Sequence, residues 1–384
     1  MKSKKRITCI KVYTPPQNHI EPAFAENNIP VFFGCDDKFI PHAAAVMASI
    51  MEHASPQNNY DILVVQSGAS PTRMAEATEW ISHYPNASLR FVDIAEVMED
   101  VGGKDFHTTR TFSLAVYFRL FAQSVFSRYE KIVYLDSDLV LFTDVAELFH
   151  QDLEGKLLAA CHDLATEQQS LDDEKLADFW RKKLDKEPGS DYFNSGVLVM
   201  DLAGMRREGV ETELLKKIRS ISDTNWPDQD VMNSVMNGRV KYMDCEWNFL
   251  DWMADPDEDS LNFLYISREA RDMAREARSR IKILHYAERK PWTLGYGGKN
   301  DAYYWHYAAM TPFINETRAK LNSNCGFFRL TGEYAALSFQ TLNYRLRAKL
   351  KPAAEKQKYI FRIHKLGQRK KGVVRHMRRM GYIS

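Results

Sequence analysis

The sequence predicts an α/β protein with a Rossmann-like, mostly parallel central sheet flanked by helices, followed by a basic helical appendage at the C-terminus. Two observations support this fold class. From Pro30 onward, short runs rich in β-forming residues alternate with amphipathic stretches, and such alternation builds parallel sheets with helices on both faces. Residues 341–384, in contrast, hold 14 Lys and Arg and one acid, Glu355, among apolar residues at helical spacing.

The first five elements are predicted to alternate as strand, helix, strand, helix and strand. Pro41 opens the first helix, and Pro71, behind Ser70, opens the second. The charged segment 163–191 lacks strand signals and predicts a helical insertion over the site. In order, we predict strands at 31–35, 61–66, 89–94, 131–135, 157–161, 196–200 and 281–285, and helices at 42–53, 71–83 and 114–126.

Length and charge limit the possible functions. The chain has 384 residues, 45% of them hydrophobic, which allows a large core and excludes general disorder. The pattern divides it into a leader at 1–29, one α/β domain at 30–312 and a helical C-terminal region at 313–384. Residues 341–384 carry a net charge of +13 and the remainder −12. The acidic body argues against nucleic-acid binding, and the basic tail indicates contact with an anionic surface.

The cysteines indicate the cellular compartment. They are odd in number, widely spaced and without a C-x-x-C pair, which predicts neither a disulfide framework nor a thiolate zinc site. We expect reduced thiols in a cytosolic protein. The five are Cys9, Cys35, Cys161, Cys245 and Cys325.

Two acidic residues follow the strand predicted at 131–135. Side chains alternate along an extended backbone, so Asp136 and Asp138 point to the same side and can hold one divalent cation between them. Other Asp-x-Asp tripeptides begin at 228, 255 and 257, but only the pair at 136 follows a buried strand. Two carboxylates there would be costly without a cation. We therefore predict a metal-diphosphate site at this strand end, where open α/β sheets bind ligands.

Further strand ends carry candidate ligands with alternatives left open. Asp36 can accept hydrogen bonds from a base or ribose, or it can cap the next helix. His285 is either a buried core residue or a third ligand beside the two aspartates. Lys290 follows closely and can pair with phosphate oxygens. Taken alone, Asp228 is typical of a helix N-terminus and Arg119 of a packed stem with a surface head.

Taken in order, these segments resemble glycosyltransferase family 8, a group of retaining enzymes that includes bacterial lipopolysaccharide galactosyl- and glucosyltransferases and glycogenin. The resemblance covers about residues 30–310. It implies a GT-A domain, a UDP-hexose donor (UDP-glucose or UDP-galactose), a glycan acceptor such as lipopolysaccharide, and Mn²⁺ or Mg²⁺. It rests on FFGCDD, YFRL, IVYLDSDLVLFTDV, DYFNSGVLVMDL, the DQD at 228–230 and HYAERKPW.

The resemblance also implies roles for individual residues. The metal ligands are Asp136, Asp138 and His285. Gly34 and Asp36 contact uridine, and Ser137 and the position of Lys38 lie at the ribose. Lys290 binds the diphosphate. The donor sugar is held by Arg119, Asn194, Asp228 and Gln229, of which Asp228 and Gln229 are the catalytic pair. The full implied donor-binding set is Gly34, Asp36, Lys38, Arg119, Ser137, Asn194, Asp228, Gln229 and Lys290.

This sequence departs from the family pattern in two places. Lys38 stands where an uncharged polar residue is usual, and Glu288 replaces a glycine in a loop one residue shorter than the common form. Because Gln229 offers only a weakly nucleophilic amide oxygen, we expect front-face displacement, in which the leaving phosphate assists the acceptor hydroxyl.

Two other functions match part of the pattern. An apolar strand followed by D-x-D-x-V also opens haloacid-dehalogenase-like phosphohydrolases, in which Asp136 would become phosphorylated. That class has no use for HYAERKPW. The third interpretation is a catalytically silent carbohydrate-binding scaffold. Loss of the metal carboxylates would favour it, and both carboxylates are present here.

The tail has the composition of an interfacial helix. Its Val373, Met377 and Met380 recur at helical i, i+4, i+7 spacing beside Lys and Arg, which predicts a helix lying on an anionic bilayer. A solvated tail and RNA binding, with Tyr359 and Phe361 for stacking, are the alternatives. We expect a peripheral protein on the cytoplasmic face of the cell membrane.

Overall fold

The computed structural model describes residues 20–102, 114–221, 226–254, 266–294, 299–324, 327–349 and 353–380, and the single positions 106, 224, 263, 296 and 382. Most of the predicted leader, 1–29, lies outside the described residues, as do Cys9 and Cys325. The other three cysteines are free thiols, as predicted.

Within the described residues, ten short strands form two sheets. The larger sheet has seven strands in the order β3-β2-β1-β4-β7-β6-β8, and the smaller has three in the order β5-β10-β9. The strands are β1 Asn28–Gly34, β2 Asn59–Gln66, β3 Ala87–Asp93, β4 Lys131–Leu135, β5 Leu139–Leu141, β6 Leu158–Cys161, β7 Val197–Asp201, β8 Val240–Met243, β9 Phe249–Leu250 and β10 Ile283–His285.

The larger sheet is mostly parallel, which confirms the predicted fold class. Within the described residues, β7 alone runs antiparallel to its neighbours β4 and β6. Hydrophobic periodicity does not encode strand direction, so this reversal is invisible in the sequence. It has a consequence for the site, because the beginning of β7 lies beside the end of β4, with Val197 opposite Leu135.

The strand at 281–285 was predicted as a further strand of the central sheet, and this is wrong. β10 belongs to the small sheet, where it pairs antiparallel with β5 and places His285 opposite Leu139. The chain leaves the central sheet between β4 and β5, and β10 pairs with β5 rather than with a strand of the central sheet. This register brings the histidine of one strand next to the aspartate that precedes the other.

Helices cover both faces of the central sheet. Phe32 packs with Tyr134 on one face, and Phe33 packs with Val133 on the other. Where the sequence predicts a helix at 114–126, the structure has a 3₁₀ segment, Leu114–Phe121, followed by a short α-helix. Over eight residues, the spacing of apolar side chains does not distinguish a 3₁₀ helix from an α-helix. The α-helices before residue 240 are α1 Ile40–Glu52, α2 Pro71–Ile81, α3 Ala95–Asp100, α4 Ala122–Val125, α5 Val145–Phe149, α6 Leu164–Asp172, α7 Glu174–Phe179, α8 Leu202–Glu208, α9 Val210–Ser220 and α10 Pro227–Val235.

The insertion at 163–191 is helical, as predicted. It consists of α6, α7 and a π-helical turn, Trp180–Leu184. Trp180 and Leu184 are fully buried in the core, so the far end of the insertion is anchored to the main domain. Its first residue, Asp163, caps α6 and faces the site described below.

The C-terminal helices pack against the main domain. They follow α11 Arg268–Ala277 and α12 Asp301–Ala308, and comprise α13 Ile314–Asn324, α14 Phe327–Lys349 and α15 Ala353–Arg379. Val373 and Met377 are buried against Leu330 and Leu337. These side chains belong to the stripe predicted to face lipid, so that prediction is wrong for Val373 and Met377. Among the described residues, no helix is long and apolar enough to cross a membrane.

Candidate active site

Two carboxylates and an imidazole converge where β4 ends. Asp136 and Asp138 follow β4, and the register of β10 on β5 brings His285 beside them. One ligand atom from each lies within 4.8 Å of the other two. His285 Nε2 is 3.1 Å from Asp138 Oδ1 and 3.8 Å from Asp136 Oδ2. The structure therefore brings together all three predicted metal ligands, and two carboxylates with one imidazole are ligands suited to a divalent cation.

Gly196 leaves room for this cluster. It precedes β7, and its carbonyl accepts a hydrogen bond of 2.8 Å from the Asp136 amide. A Cβ atom at Gly196 would lie 2.4 Å from His285 Cε1 and 2.8 Å from Asp136 Oδ2. Both distances are too short for any side chain, so glycine is required here for the ligands to converge. The cradle fits a bound cation.

Asn248 orients the histidine. His285 Nδ1 is 2.8 Å from Asn248 Oδ1, while Asn248 Nδ2 donates to Asn194 Oδ1 at 2.9 Å. The Asn194 oxygen also accepts from the Gly196 amide at 3.0 Å, which fixes both side-chain amides. His285 therefore donates from Nδ1 to Asn248, and its Nε2 is directed toward the carboxylates. Sequence reasoning missed Asn248, although it lies just before the short strand β9.

Arg119 joins the cluster from the 3₁₀ segment and is buried. Its guanidinium contacts Asp136 Oδ1 at 2.8 Å and Asp228 Oδ2 at 3.2 Å. It also donates to the Ser195 carbonyl at 2.6 Å and lies 4.2 Å from the centre of the Tyr134 ring. The sequence alone favoured a packed stem with a surface head, and the structure instead buries the head between two carboxylates.

The first turn of α10 completes the network. Asp228 Oδ2 accepts from Ser195 Oγ at 3.0 Å, and Gln229 Oε1 accepts from the Ser195 amide at 3.0 Å. Gln229 Nε2 donates to Asp163 Oδ2 at 3.1 Å. Burial, together with nearby Asp136, raises the pKa of Asp228, although Arg119 opposes the shift. Asp163 is a second site residue that sequence reasoning missed, since it looked like an ordinary helix cap.

Lys290 reaches back to the metal-ligand cluster. Its Nζ contacts the Asp138 carboxylate and donates to the carbonyls of Tyr286 and Ala287 at 2.7 and 3.0 Å. Burial alone would raise the pKa of Asp138, but the charges of Lys290 and His285 outweigh it and hold that pKa well below its usual range. The ammonium is thus positioned at the edge of the candidate cation site.

The end of β1 lies beside this network, because β1 pairs with β4. Asp36 Oδ1 accepts from the Lys38 amide at 3.0 Å, and Lys38 itself is exposed. Gly34 packs tightly, since a Cβ atom added at this position would lie 3.2 Å from the Ala115 carbonyl oxygen. The Ser137 hydroxyl is buried at this strand end, close to the Cys35 thiol.

Comparison with known proteins gives this geometry a context. Residues 30–294, about two-thirds of the chain, match the sequence profile of glycosyl transferase family 8. The chain belongs to glycosyl transferase family 8. The phosphohydrolase alternative finds no support in this comparison.

Relatives of this family-8 protein include bacterial transferases. It is 24% identical over 220 residues to a putative glycosyltransferase of Haemophilus influenzae, covering 57% of this chain and 62% of the relative. It is 35% identical over 146 residues to lipopolysaccharide 1,2-glucosyltransferase of Escherichia coli, covering 36% of this chain and 40% of the relative. The chain thus spans less than two-thirds of the length of these relatives.

Solved structures support the GT-A fold of this family-8 protein. The bifunctional glycosyltransferase WbbM superposes with a TM-score of 0.69 at 29% identity, over 79% of this chain and 53% of that one. The galactosyltransferase LgtC, solved with donor and acceptor sugar analogues, superposes with a TM-score of 0.61 at 23% identity, over 76% of this chain and all of that one.

Proposed function

We propose that this family-8 enzyme transfers a hexose, with retention of configuration, from UDP-glucose or UDP-galactose to a glycan acceptor, using Mn²⁺ or Mg²⁺. The observation that carries the proposal is the convergence of Asp136, Asp138 and His285 around the Gly196 cradle. Each aspartate keeps one oxygen directed to the imidazole, while Arg119 and Lys290 contact the other oxygens.

Charge development dictates what the residues do. Cleavage of the anomeric C–O bond leaves negative charge on the departing diphosphate. A bound divalent cation supplies Lewis-acid stabilisation of that charge. Lys290 lies at the edge of the same site and adds a positive charge, and the buried Arg119 orients the Asp136 carboxylate by donating to Oδ1.

The sugar side of the site favours front-face displacement. Both ends of the Gln229 amide are bonded to the protein, its oxygen to the Ser195 amide and its nitrogen to Asp163. Asp228 pairs with Arg119 and Ser195. Neither group is free to attack the anomeric carbon, so we assign both to binding the donor sugar together with Asn194. The leaving phosphate then assists the acceptor hydroxyl.

We further propose that residues 30–312 form the catalytic domain and that the acceptor is lipopolysaccharide or another cell-surface glycan. The second proposal follows the Escherichia coli relative, whose name is lipopolysaccharide 1,2-glucosyltransferase.

An acceptor on a membrane suits the C-terminal region 313–384. Phe339 and Leu342 on α14 are 71% and 55% exposed, and exposed Arg345 lies in the next turn. We place the enzyme at the cytoplasmic face of an anionic membrane through this outer face of α14.

One screen tests the reaction. The purified protein is incubated with UDP-glucose, UDP-galactose or UDP-N-acetylhexosamines, with and without Mn²⁺, and released UDP is measured. We expect metal-dependent release from a UDP-hexose, lost in Asp138→Asn and retained in Asp178→Asn, an exposed aspartate on α7. Turnover of an aryl phosphate, or a beryllium fluoride adduct on Asp136, without UDP release would contradict the proposal.

A further inference from the structure

The segment that carries Lys290 touches the C-terminal hairpin, which we define as α14 and α15. Glu288 Oε1 lies 3.0 Å from Lys365 Nζ on α15. The next residue, Arg289, donates from Nη2 to the Lys365 carbonyl at 3.4 Å. Two consecutive residues immediately before Lys290 are therefore held by one residue of the hairpin.

The same segment meets the hairpin again after Lys290. Leu294 packs on the buried cluster formed by α13, α14 and α15, which includes Leu330 and Val373. Arg379, at the end of α15, pairs with Asp301 of α12 at 3.1 Å. Polar and apolar contacts thus join the hairpin to both ends of a short segment that has no helix or strand of its own.

The opposite side of the segment is fixed to the main domain. Trp292 stacks on His42 of α1, with ring centres 3.7 Å apart and planes 11° from parallel. His42 Nδ1 is 2.7 Å from the Tyr304 hydroxyl of α12, and both residues are buried. Lys290 lies between these two supports, with its ammonium against Asp138.

We propose that the C-terminal hairpin positions the Lys290 segment, residues 286–294, and so sets the affinity for the donor diphosphate. This rests on the proposed function of Lys290. A segment without regular secondary structure pays conformational entropy when it is ordered, and the hairpin contacts reduce that cost in advance. Glu288 is the residue that departs from the family pattern at this point, and its side chain makes the ion pair with the hairpin. The hairpin therefore acts on the donor site through the Lys290 segment and is also a candidate membrane surface.

A charge exchange tests this in the full-length protein, without lipid. Glu288→Lys and Lys365→Glu each place like charges together, and the double variant restores an opposite pair. We expect each single variant to raise the KM for the UDP-sugar by about three- to tenfold, as for loss of a partly exposed ion pair that becomes repulsive. We expect the double variant to return to within about twofold of wild type. The matched control is Lys182→Glu, which breaks a surface ion pair with Asp178 on α7.

Two readouts separate positioning from a general structural effect. The kcat should change less than KM, and hydrogen exchange of 286–294 should speed up in the single variants and recover in the double variant. Unchanged KM in both single variants, equal impairment in the double variant, or an equal effect of Lys182→Glu would overturn the inference. A wild-type protein that releases no UDP from any donor would instead refute the proposed function, so the two failures are distinguishable.

Discussion

The candidate metal site at the end of β4 (the metal-binding edge) and the C-terminal hairpin are stabilised in different ways. At the edge, buried charged and amide groups bond to one another in sequence, from His285 through Asn248 and Asn194 to the Gly196 amide. In the hairpin, aliphatic side chains such as Leu330 and Val373 share one apolar cluster, and the ion pairs lie near the surface. Directional bonds lose their geometry when one partner changes, whereas apolar burial is lost gradually. We therefore expect single substitutions to have larger effects at the edge.

The metal carboxylates provide the largest contrast. Asp136→Ala and Asp138→Ala should each lower UDP-sugar turnover by about a thousandfold, about 4 kcal/mol of transition-state stabilisation, because the cation loses a ligand. Circular dichroism should show that the fold persists in both variants. Chelation with EDTA should abolish UDP release, and added Mn²⁺ should restore it.

Asp178→Ala is the matched control for these two variants. It removes an exposed carboxylate that pairs with Lys182 rather than with the metal site. Its turnover should stay near that of wild type. More than about a tenth of wild-type turnover in either metal-site variant, a loss of only ~1.4 kcal/mol, would exclude Asp136 and Asp138 as essential ligands.

Glycines in the two regions should respond in opposite directions. In Gly196→Ala the new methyl group overlaps His285 and Asp136, so one ligand must move, and Mn²⁺ affinity should fall by about 10- to 100-fold. In Gly332→Ala, on the exposed face of α14, the methyl meets no atom within 4 Å. There the change should stabilise the protein by about 1 kcal/mol, since alanine favours helix.

Two measurements check the glycine pair. A Mn²⁺ titration monitored by electron paramagnetic resonance gives the metal affinity, and urea unfolding gives the stability. Wild-type Mn²⁺ affinity in Gly196→Ala would mean that the ligands do not converge around this glycine. Weakened Mn²⁺ affinity in Gly332→Ala would remove the contrast between the two regions.

The orientation of His285 depends on Asn248. Asn248→Ala removes the acceptor for the Nδ1 hydrogen and should weaken Mn²⁺ binding by about tenfold, as outer-shell partners of metal-binding histidines do. Asn248→Asp keeps an acceptor at that atom and should retain more affinity than the alanine variant. Equal Mn²⁺ affinity in all three proteins would show that Asn248 does not act through the histidine.

The contrast also explains what the sequence could and could not reveal. Asp136 and Asp138 directly follow a short apolar run, so the rule that open α/β sheets bind ligands at strand ends located them from the sequence. Asn248 and Asp163 act through side chains from distant segments, and their local sequence looks like an ordinary turn and a helix cap. The direction of β7 and the transfer of β10 to a second sheet depend on tertiary pairing, which periodicity does not encode.

The tail shows a different limit. Its composition correctly indicated a basic amphipathic helix, but an apolar stripe looks the same whether lipid or protein covers it. Val373 and Met377 are covered by the protein's own helices. The exposed apolar side chains lie instead on α14, at Phe339 and Leu342. Deleting 341–384 would remove Leu342 together with the buried Val373 and Met377 and would leave Phe339 in place, so point substitutions give the sharper test.

The smallest predicted effect concerns membrane contact. Phe339→Ser with Leu342→Ser should weaken binding to vesicles containing phosphatidylglycerol by about five- to tenfold, because side chains that enter only the bilayer interface gain a fraction of the roughly 1.5–3 kcal/mol of full burial. The fold and UDP-sugar hydrolysis should be unchanged, because neither side chain is buried. Val373→Ser is the matched control, because it should lower thermal stability while the folded protein still binds vesicles. Binding should weaken as salt rises, since basic residues supply part of the attraction. A wild-type protein that ignores such vesicles at low salt, or a double variant that binds as well as wild type, would show that this face of α14 is simply solvated.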